Sequence, residues 1–228
     1  MKKFFLFAAA VATAFSVNAK VYDFATITKD DVSSLVPIVE EEKEGEKTGK
    51  LLIEVPADQT VVEVILFEDI KLHYNSDAVK NIVIDTKNGY FEFPGNGKTA
   101  EGKALVTVEN VTIGDSIFVE VANKGTGSVS AEAVDGCEGA AVPLPAKSKG
   151  AEGADENGYI WVVASYKATA ADATFKTPGA RVRKIIVGAE AQGIEDVKES
   201  VKAVKSFENG QLVIIKNGVR YNALGAQL

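Results

Sequence analysis

The chain has 228 residues, 46% of them hydrophobic and 25% charged, with a formal net charge of −7. A surface this acidic argues against nucleic acid and anionic membranes as partners, because both repel it. Cys137 is the only cysteine and His73 the only histidine, which excludes an intrachain disulfide and the common zinc sites built on paired histidines.

The chain opens as an export leader. Met1-Lys2-Lys3 is a short basic start, Phe4 to Val17 is mostly apolar, and Val17-Asn18-Ala19 is a small-x-small cleavage site. The cut is expected before Lys20, which makes residues 1–19 a signal peptide. The alternative is an N-terminal membrane anchor, but a spanning helix needs about 20 apolar residues and this run is shorter. No Cys follows the cut to carry a lipid, and no later run is long and apolar enough to span a bilayer. Cleavage removes Lys2 and Lys3 and no carboxylate, so the mature chain is more acidic still. The protein is expected to be exported, to the cell surface or medium, with the periplasm as the alternative.

From Leu51 onward the pattern is β. Leu51 to Val55, Val61 to Phe67, Ile70 to Tyr74 and Val79 to Asp85 are short apolar-rich runs, and Lys87-Asn88-Gly89 turns the chain into Tyr90-Phe91-Glu92-Phe93. Ala104–Glu109, Ser116–Ala122, Val129–Ala133, Gly158–Tyr166, Ala173–Lys176 and Arg181–Val187 continue the series. Strands of this length, punctuated by Gly, Asn and Asp, predict an antiparallel β-sandwich over residues 20–188. The connections are too short for the crossover helices of a parallel sheet. Two segments break the pattern. Pro37 to Lys50, with Glu40-Glu41-Glu42-Lys43-Glu44-Gly45-Glu46, reads as a solvated acidic loop. Asp135 to Asn157, rich in Gly and Ala, reads as a long surface loop.

Residues 189–202 form a polar spacer. Beyond it, Phe207-Glu208-Asn209-Gly210-Gln211-Leu212 and Ile214-Ile215-Lys216-Asn217-Gly218 carry two Asn-Gly pairs between β-prone runs. Asn-Gly suits the type I′ hairpin turn, which needs positive φ at both central residues. A three-stranded meander is therefore expected over residues 203–228, as an address or anchor. Those residues, with Tyr221-Asn222-Ala223-Leu224-Gly225, resemble the C-terminal segments of secreted Bacteroidetes proteins and look like a truncated relative of the type IX (Por) secretion signal. The resemblance implies export by that route and a partner in the secretion machinery or envelope. The full signal usually opens with an Asn-Pro element, which this chain lacks, so periplasmic or outer-surface residence without that route stays open.

In the body, Tyr159-Ile160-Trp161-Val162-Val163-Ala164, Ala173-Thr174-Phe175 and Arg181-Val182-Arg183-Lys184-Ile185-Ile186-Val187 resemble the closing strands of jelly-roll carbohydrate-binding modules. That resemblance implies a jelly-roll sandwich and a glycan ligand. Sugar binding uses flat aromatic faces beside hydrogen-bonding side chains. Tyr90, after its Asn-Gly turn, and Tyr74, near Asn75 and Asp77, are the expected exposed platforms, although either could simply cover the sheet. Trp161 has apolar residues on both sides and is expected in the core.

Asp155-Glu156-Asn157-Gly158 gathers oxygen donors before a glycine, as a Ca²⁺ loop does, or as a plain Asx turn does. No Gly-x-Ser-x-Gly elbow and no phosphate-binding Gly-x-x-x-x-Gly-Lys-Ser/Thr loop occurs. Glu63, Glu68, Asp69 and Asp85 read as solvent-facing strand positions. No catalytic set stands out, so no catalytic residue and no cofactor beyond structural Ca²⁺ is expected. Two readings follow: a non-catalytic exported module that binds a glycan or serves adhesion, and a structural or assembly component of the envelope. A polysaccharide-active enzyme ranks third.

Overall fold

A computed structural model describes residues 19–58, 60–95 and 103–188, and the backbone of three strands between residues 204 and 222. The leader up to residue 18, the spacer and both tail Asn-Gly pairs lie outside the described residues. The chain divides into two compact units, Met1–Ala191 and Gln192–Leu228.

The first unit is two antiparallel sheets packed as a sandwich. One sheet has nine strands. Its path runs β12 (Cys137–Glu138), β14 (Trp161–Ala168), β10 (Ser116–Asn123), β16 (Ala180–Gly188), β8 (Tyr90–Glu92), β7 (Lys80–Asp85), β4 (Glu46–Val55) and β3 (Ile38–Lys43). Off that path, β1 (Lys20–Asp23) pairs with β16. The other sheet has seven strands. They are β13 (Val142–Leu144), β11 (Val129–Asp135), β15 (Ala173–Lys176), β9 (Ala104–Val108), β6 (Ile70–Tyr74), β5 (Val62–Leu66) and β2 (Val32–Ser34). Two single 3₁₀ turns, Phe24–Thr26 and Lys29–Asp31, link β1 to β2. No helix among the described residues is long and apolar enough to cross a membrane.

Side-chain alternation explains the packing. Val62, Val64 and Leu66 of β5, with Ile70, Leu72 and Tyr74 of β6, face Leu51, Ile53 and Val55 of β4 and Ile82 and Ile84 of β7 within one buried cluster. Removing each such side chain from water contributes roughly 1.5–3 kcal/mol, the main term holding the sheets together. Aromatics fill one part of it: Phe91 meets Phe24 edge-on at 4.9 Å and Phe93 at 5.9 Å. Tyr166 stacks on Phe175 at 5.3 Å.

The acidic segment is a hairpin, not a loop. β3 and β4 pair from Ile38 opposite Ile53 to Lys43 opposite Glu46, around Glu44 and Gly45 at φ 54° and 83°. Positive φ at both central residues is the type I′ geometry. Lys47 meets Glu40 and Lys50 lies 3.9 Å from Glu41 across the ladder, and Lys43 lies 3.7 Å from Glu41 along β3, so opposite charges offset the acidic run. The charges also line an edge strand, where they discourage pairing with another chain. Nor is Asp135–Asn157 all loop: it contributes β12 to one sheet and β13 to the other.

In the second unit, β17 (Val204–Glu208), β18 (Gln211–Lys216) and β19 (Val219–Asn222) form a three-stranded antiparallel sheet. Glu208 lies opposite Gln211 and Lys216 opposite Val219, so two residues connect each pair of strands.

Candidate functional site

β16 organises the outer face of the nine-stranded sheet. Val182 pairs with Val121, and Lys184 with Glu120, which leaves Arg183 as an extra, bulged residue. A bulge shifts the phase of alternation. It lets Val182 and Ile185 both enter the core although they are three apart, while Arg181, Arg183 and Lys184 stay partly exposed. The neighbouring strands contribute Tyr90 and Glu92 from β8, Glu120 from β10 and Trp161 from β14.

A ladder of rings and cations results. The Arg181 guanidinium lies 4.1 Å from the Tyr90 ring centre and 4.3 Å from that of Tyr159, and its Nε donates to Glu92 at 2.7 Å. Lys147 Nζ lies 4.2 Å from the Tyr159 ring centre and donates to the Tyr159 hydroxyl at 2.9 Å. The Tyr159 and Trp161 ring centres are 6.4 Å apart. Arg183 sits 4.3 Å over Trp161 and is bound to Glu120. Cations over ring faces contribute roughly 0.5–2 kcal/mol each, more as water is excluded. These contacts fasten the segment before β14 onto the sheet.

Asp155 fixes the other end of that segment. Its carboxylate accepts from the backbone N–H of Asn157 and Tyr159, both at 2.9 Å, and from the indole N–H of Trp161 at 3.0 Å. Partial burial acts to raise the Asp155 carboxyl. The donors from Trp161, Tyr159 and Asn157, with Arg183 nearby, outweigh burial and hold it below the ordinary aspartate value. This is an Asx turn, with Gly158 at φ 85° completing it. Glu156 and Asn157 are exposed, and among the described residues no group of three or more His, Cys, Asp or Glu side chains is placed to hold a metal.

The expected sugar platforms are placed differently. Tyr74 is only 2% exposed and stacks on Phe93; Tyr90 is 7% exposed, under Arg181. Alternation turns Tyr74 into the core and the Arg181 side chain covers Tyr90, so neither presents a free face. Burial pushes the Tyr90 phenol above its ordinary value; Arg181 opposes this and Asp85 reinforces it. Asn75 and Asp77 are exposed, with Asp77 paired to Lys103 at 2.8 Å. Conversely, Trp161 is not core: it is half-buried on the outer face, and Val162 takes the inward position beside it. The run Ile160-Trp161-Val162-Val163 hid this, because Val163 is also outward and 56% exposed.

Other groups carry less chemistry. Asp85 is fully buried rather than solvent-facing, and it accepts from the Asn88 backbone and side chain, both at 2.9 Å. His73 is half-buried, 3.7 Å from Glu63; burial lowers its pKa more than Glu63 raises it. Burial likewise raises the Cys137 thiol, which donates to the Thr174 carbonyl at 3.3 Å. Two concavities, of about 470 and 450 Å³, lie away from the aromatic ladder. The first holds Lys29 and Lys47, both tied to Glu40.

No known family model matches the chain, and no curated protein matches it in sequence. Fold and site together define a two-sheet antiparallel β-sandwich with a half-buried tryptophan set among cations on one outer face.

Proposed function

We propose that the protein is an exported, non-catalytic β-sandwich that binds a glycan on the outer face of its larger sheet. The observation that carries this reading is Trp161: an indole whose N–H is held by Asp155 and which stays partly exposed although Arg183 lies over its ring, whereas Tyr90 is buried. Sugar rings present C–H faces that stack on an aromatic surface and hydroxyls that meet fixed polar groups, and binding favours sites held rigid beforehand. Here the indole cannot swing freely, because its N–H is bonded to Asp155 and its backbone is paired with Ala122 of β10. Affinity electrophoresis of residues 20–228 through gels of different polysaccharides tests the reading. Retardation in at least one gel, lost in Trp161→Ala with little change in melting temperature, is expected. Retardation unchanged by that substitution sinks the Trp161 site.

A second reading concerns the tail. Its three strands form a compact unit of their own, which favours a separable element for sorting or envelope assembly over a part of the glycan site. Deleting residues 194–228 is expected to leave the sandwich folded and to abolish surface display. Unchanged display would reject a sorting role.

A further inference from the structure

The tail reading leaves the partner open, and the register of the three tail strands narrows it. Alternate residues of a strand share a face, and directly paired residues of neighbouring strands lie on the same face. Ile214 of β18 pairs with Lys205 of β17 and with Tyr221 of β19, Leu212 pairs with Phe207, and Lys216 pairs with Val219. These residues therefore occupy one face, which is apolar apart from its two lysines and holds no carboxylate. The opposite face takes Ser206, Gln211, Arg220 and Asn222, with Glu208, the single carboxylate of the three strands. In a chain of net charge −7, the tail sheet thus sets Lys205, Lys216 and Arg220 against one acid. The three strands make a single layer. Their unit, Gln192–Leu228, falls below the roughly 40 residues at which a domain usually stands without help, so its apolar face calls for a cover.

Resting on the sorting or assembly reading above, we infer that this face docks on a separate envelope protein whose surface is apolar with carboxylates at its margin. Phe207, Leu212, Ile214 and Tyr221 supply the apolar area. Lys205, opposite Ile214, and Lys216, at the end of β18, set the charge that the partner must complement. A lipid surface fits less well. Within the unit β17 and β19 each leave one edge unpaired, and hydrocarbon offers nothing to those N–H and C=O groups. A protein can cover the face and also pair with an edge.

Surface display of the full chain in the producing cells tests this with two double variants that lower the net charge equally. Lys205→Gln with Lys216→Gln alters the docking face, and Ser206→Glu with Asn222→Glu alters the other. The glutamine pair is expected to cut display several-fold, the glutamate pair to leave it unchanged, and Lys205→Arg with Lys216→Arg to keep it. Carbodiimide, which joins amines to carboxylates, is expected to trap a heavier adduct on intact cells that the glutamine pair loses. Equal loss in the glutamine and glutamate pairs overturns the face assignment. So does full display in the glutamine pair when deleting residues 194–228 abolishes display, and that result leaves the sorting role standing. Display unchanged by the deletion removes the sorting role and this inference together. Absence of any adduct dependent on the two lysines overturns the carboxylate margin, and an adduct of twice the chain's mass makes a second copy the occupant instead. Co-sedimentation of residues 20–228 with phosphatidylglycerol vesicles, lost in the glutamine pair, assigns the face to lipid. A sandwich that melts lower after the deletion assigns it to the chain's own body. Either result overturns the separate protein partner.

Discussion

Trp161 donates its indole N–H to Asp155 Oδ2 at 3.0 Å, and the same carboxylate accepts the backbone N–H of Tyr159. One side chain thus fixes both the turn that leads into β14 and the first residue of that strand. The orientation of the half-buried indole follows from a turn six residues upstream, not from core packing.

Asp155→Ala therefore removes three hydrogen bonds at once. Some of the freed N–H groups can reach water, so the expected loss is about 1–3 kcal/mol, read from urea denaturation. Trp161 fluorescence should shift to the red as the indole loosens. Acid has a related effect. The Asp155 carboxyl lies below its ordinary value in the folded protein, so its contribution is present above the unfolded pKa near ~3.9 and fades as pH falls through the lower folded value. In Asp155→Asn that part of the acid-induced loss should vanish.

Arg181 joins two buried rings and one carboxylate, and its side chain is only 17% exposed. Arg181→Ala leaves Glu92, 19% exposed, without its partner and uncovers Tyr90 and Tyr159. A cost of about 2–4 kcal/mol is expected from the lost cation–ring contacts and the stranded charge. Arg181→Lys keeps the charge but loses the flat stacking surface, and should fall between wild type and alanine. Equal melting temperatures for Lys and Ala variants would show that the planar contacts contribute nothing.

How far the sequence reached depends on what each residue type reports. The sandwich was legible because runs such as Val62-Glu63-Val64 and Ile70-Lys71-Leu72 alternate, and alternation is a local property. The β3–β4 hairpin was missed because Glu40 to Glu46 reads as solvated charge. Its strand character comes from lysines on β4 that neutralise it across the ladder, and pairing is not local. The arrangement of rings and cations on the outer face was hidden for a similar reason. Tyr90 follows a turn and looked exposed, but the residue that covers it, Arg181, lies 91 positions later in the chain. Trp161 looked buried because its neighbours are apolar. One signal did point to the bulge: Val182 and Ile185 are three apart with Arg183-Lys184 between them, a spacing that strict alternation forbids and a bulge restores.

Two glycines separate backbone strain from steric conflict. Gly153 has φ 76° with open space where a Cβ would go. Gly153→Ala should cost only the left-handed penalty, roughly 1–2 kcal/mol. Gly136 has a similar φ of 62°, but a Cβ there would lie 1.9 Å from the Asp172 carbonyl oxygen. Gly136→Ala must also push apart two backbones that are bonded through Thr169 and Ala170 to the Gly136 carbonyl. It should lose at least about 1 kcal/mol more than Gly153→Ala, in line with the excess seen when a native conformation cannot be adopted. Equal losses in thermal melts would mean that the β11–β12 corner relaxes freely.

The N-terminal strand is held by one carboxylate of the opposite sheet. Tyr22 donates its hydroxyl to Asp69 at 2.8 Å, and Lys20 and Asn110 reach the same group at 3.2 Å. Burial, then the Asp69 contact, pushes the Tyr22 phenol above its ordinary value. Asp69 is held below its own, because the bonds from Tyr22, Asn110 and Lys20 together outweigh burial. The two shifts bound a pH window. Tyr22, raised in the folded state, contributes fully below the unfolded pKa near ~10 and is lost as pH climbs toward the folded value. Asp69, lowered in the folded state, contributes above the unfolded pKa near ~3.9 and is lost as pH drops through the folded value. Tyr22→Phe should therefore cost about 1–2 kcal/mol at neutral pH, and the gap to wild type should narrow above pH ~10. Asp69→Asn should flatten the acid limb instead. Hydrogen exchange at β1, compared between wild type and Tyr22→Phe, checks where the loss falls. Faster exchange confined to β1 and the facing part of β16 is expected, whereas uniform acceleration would mean that the Tyr22–Asp69 bond stabilises the whole sandwich rather than its first strand.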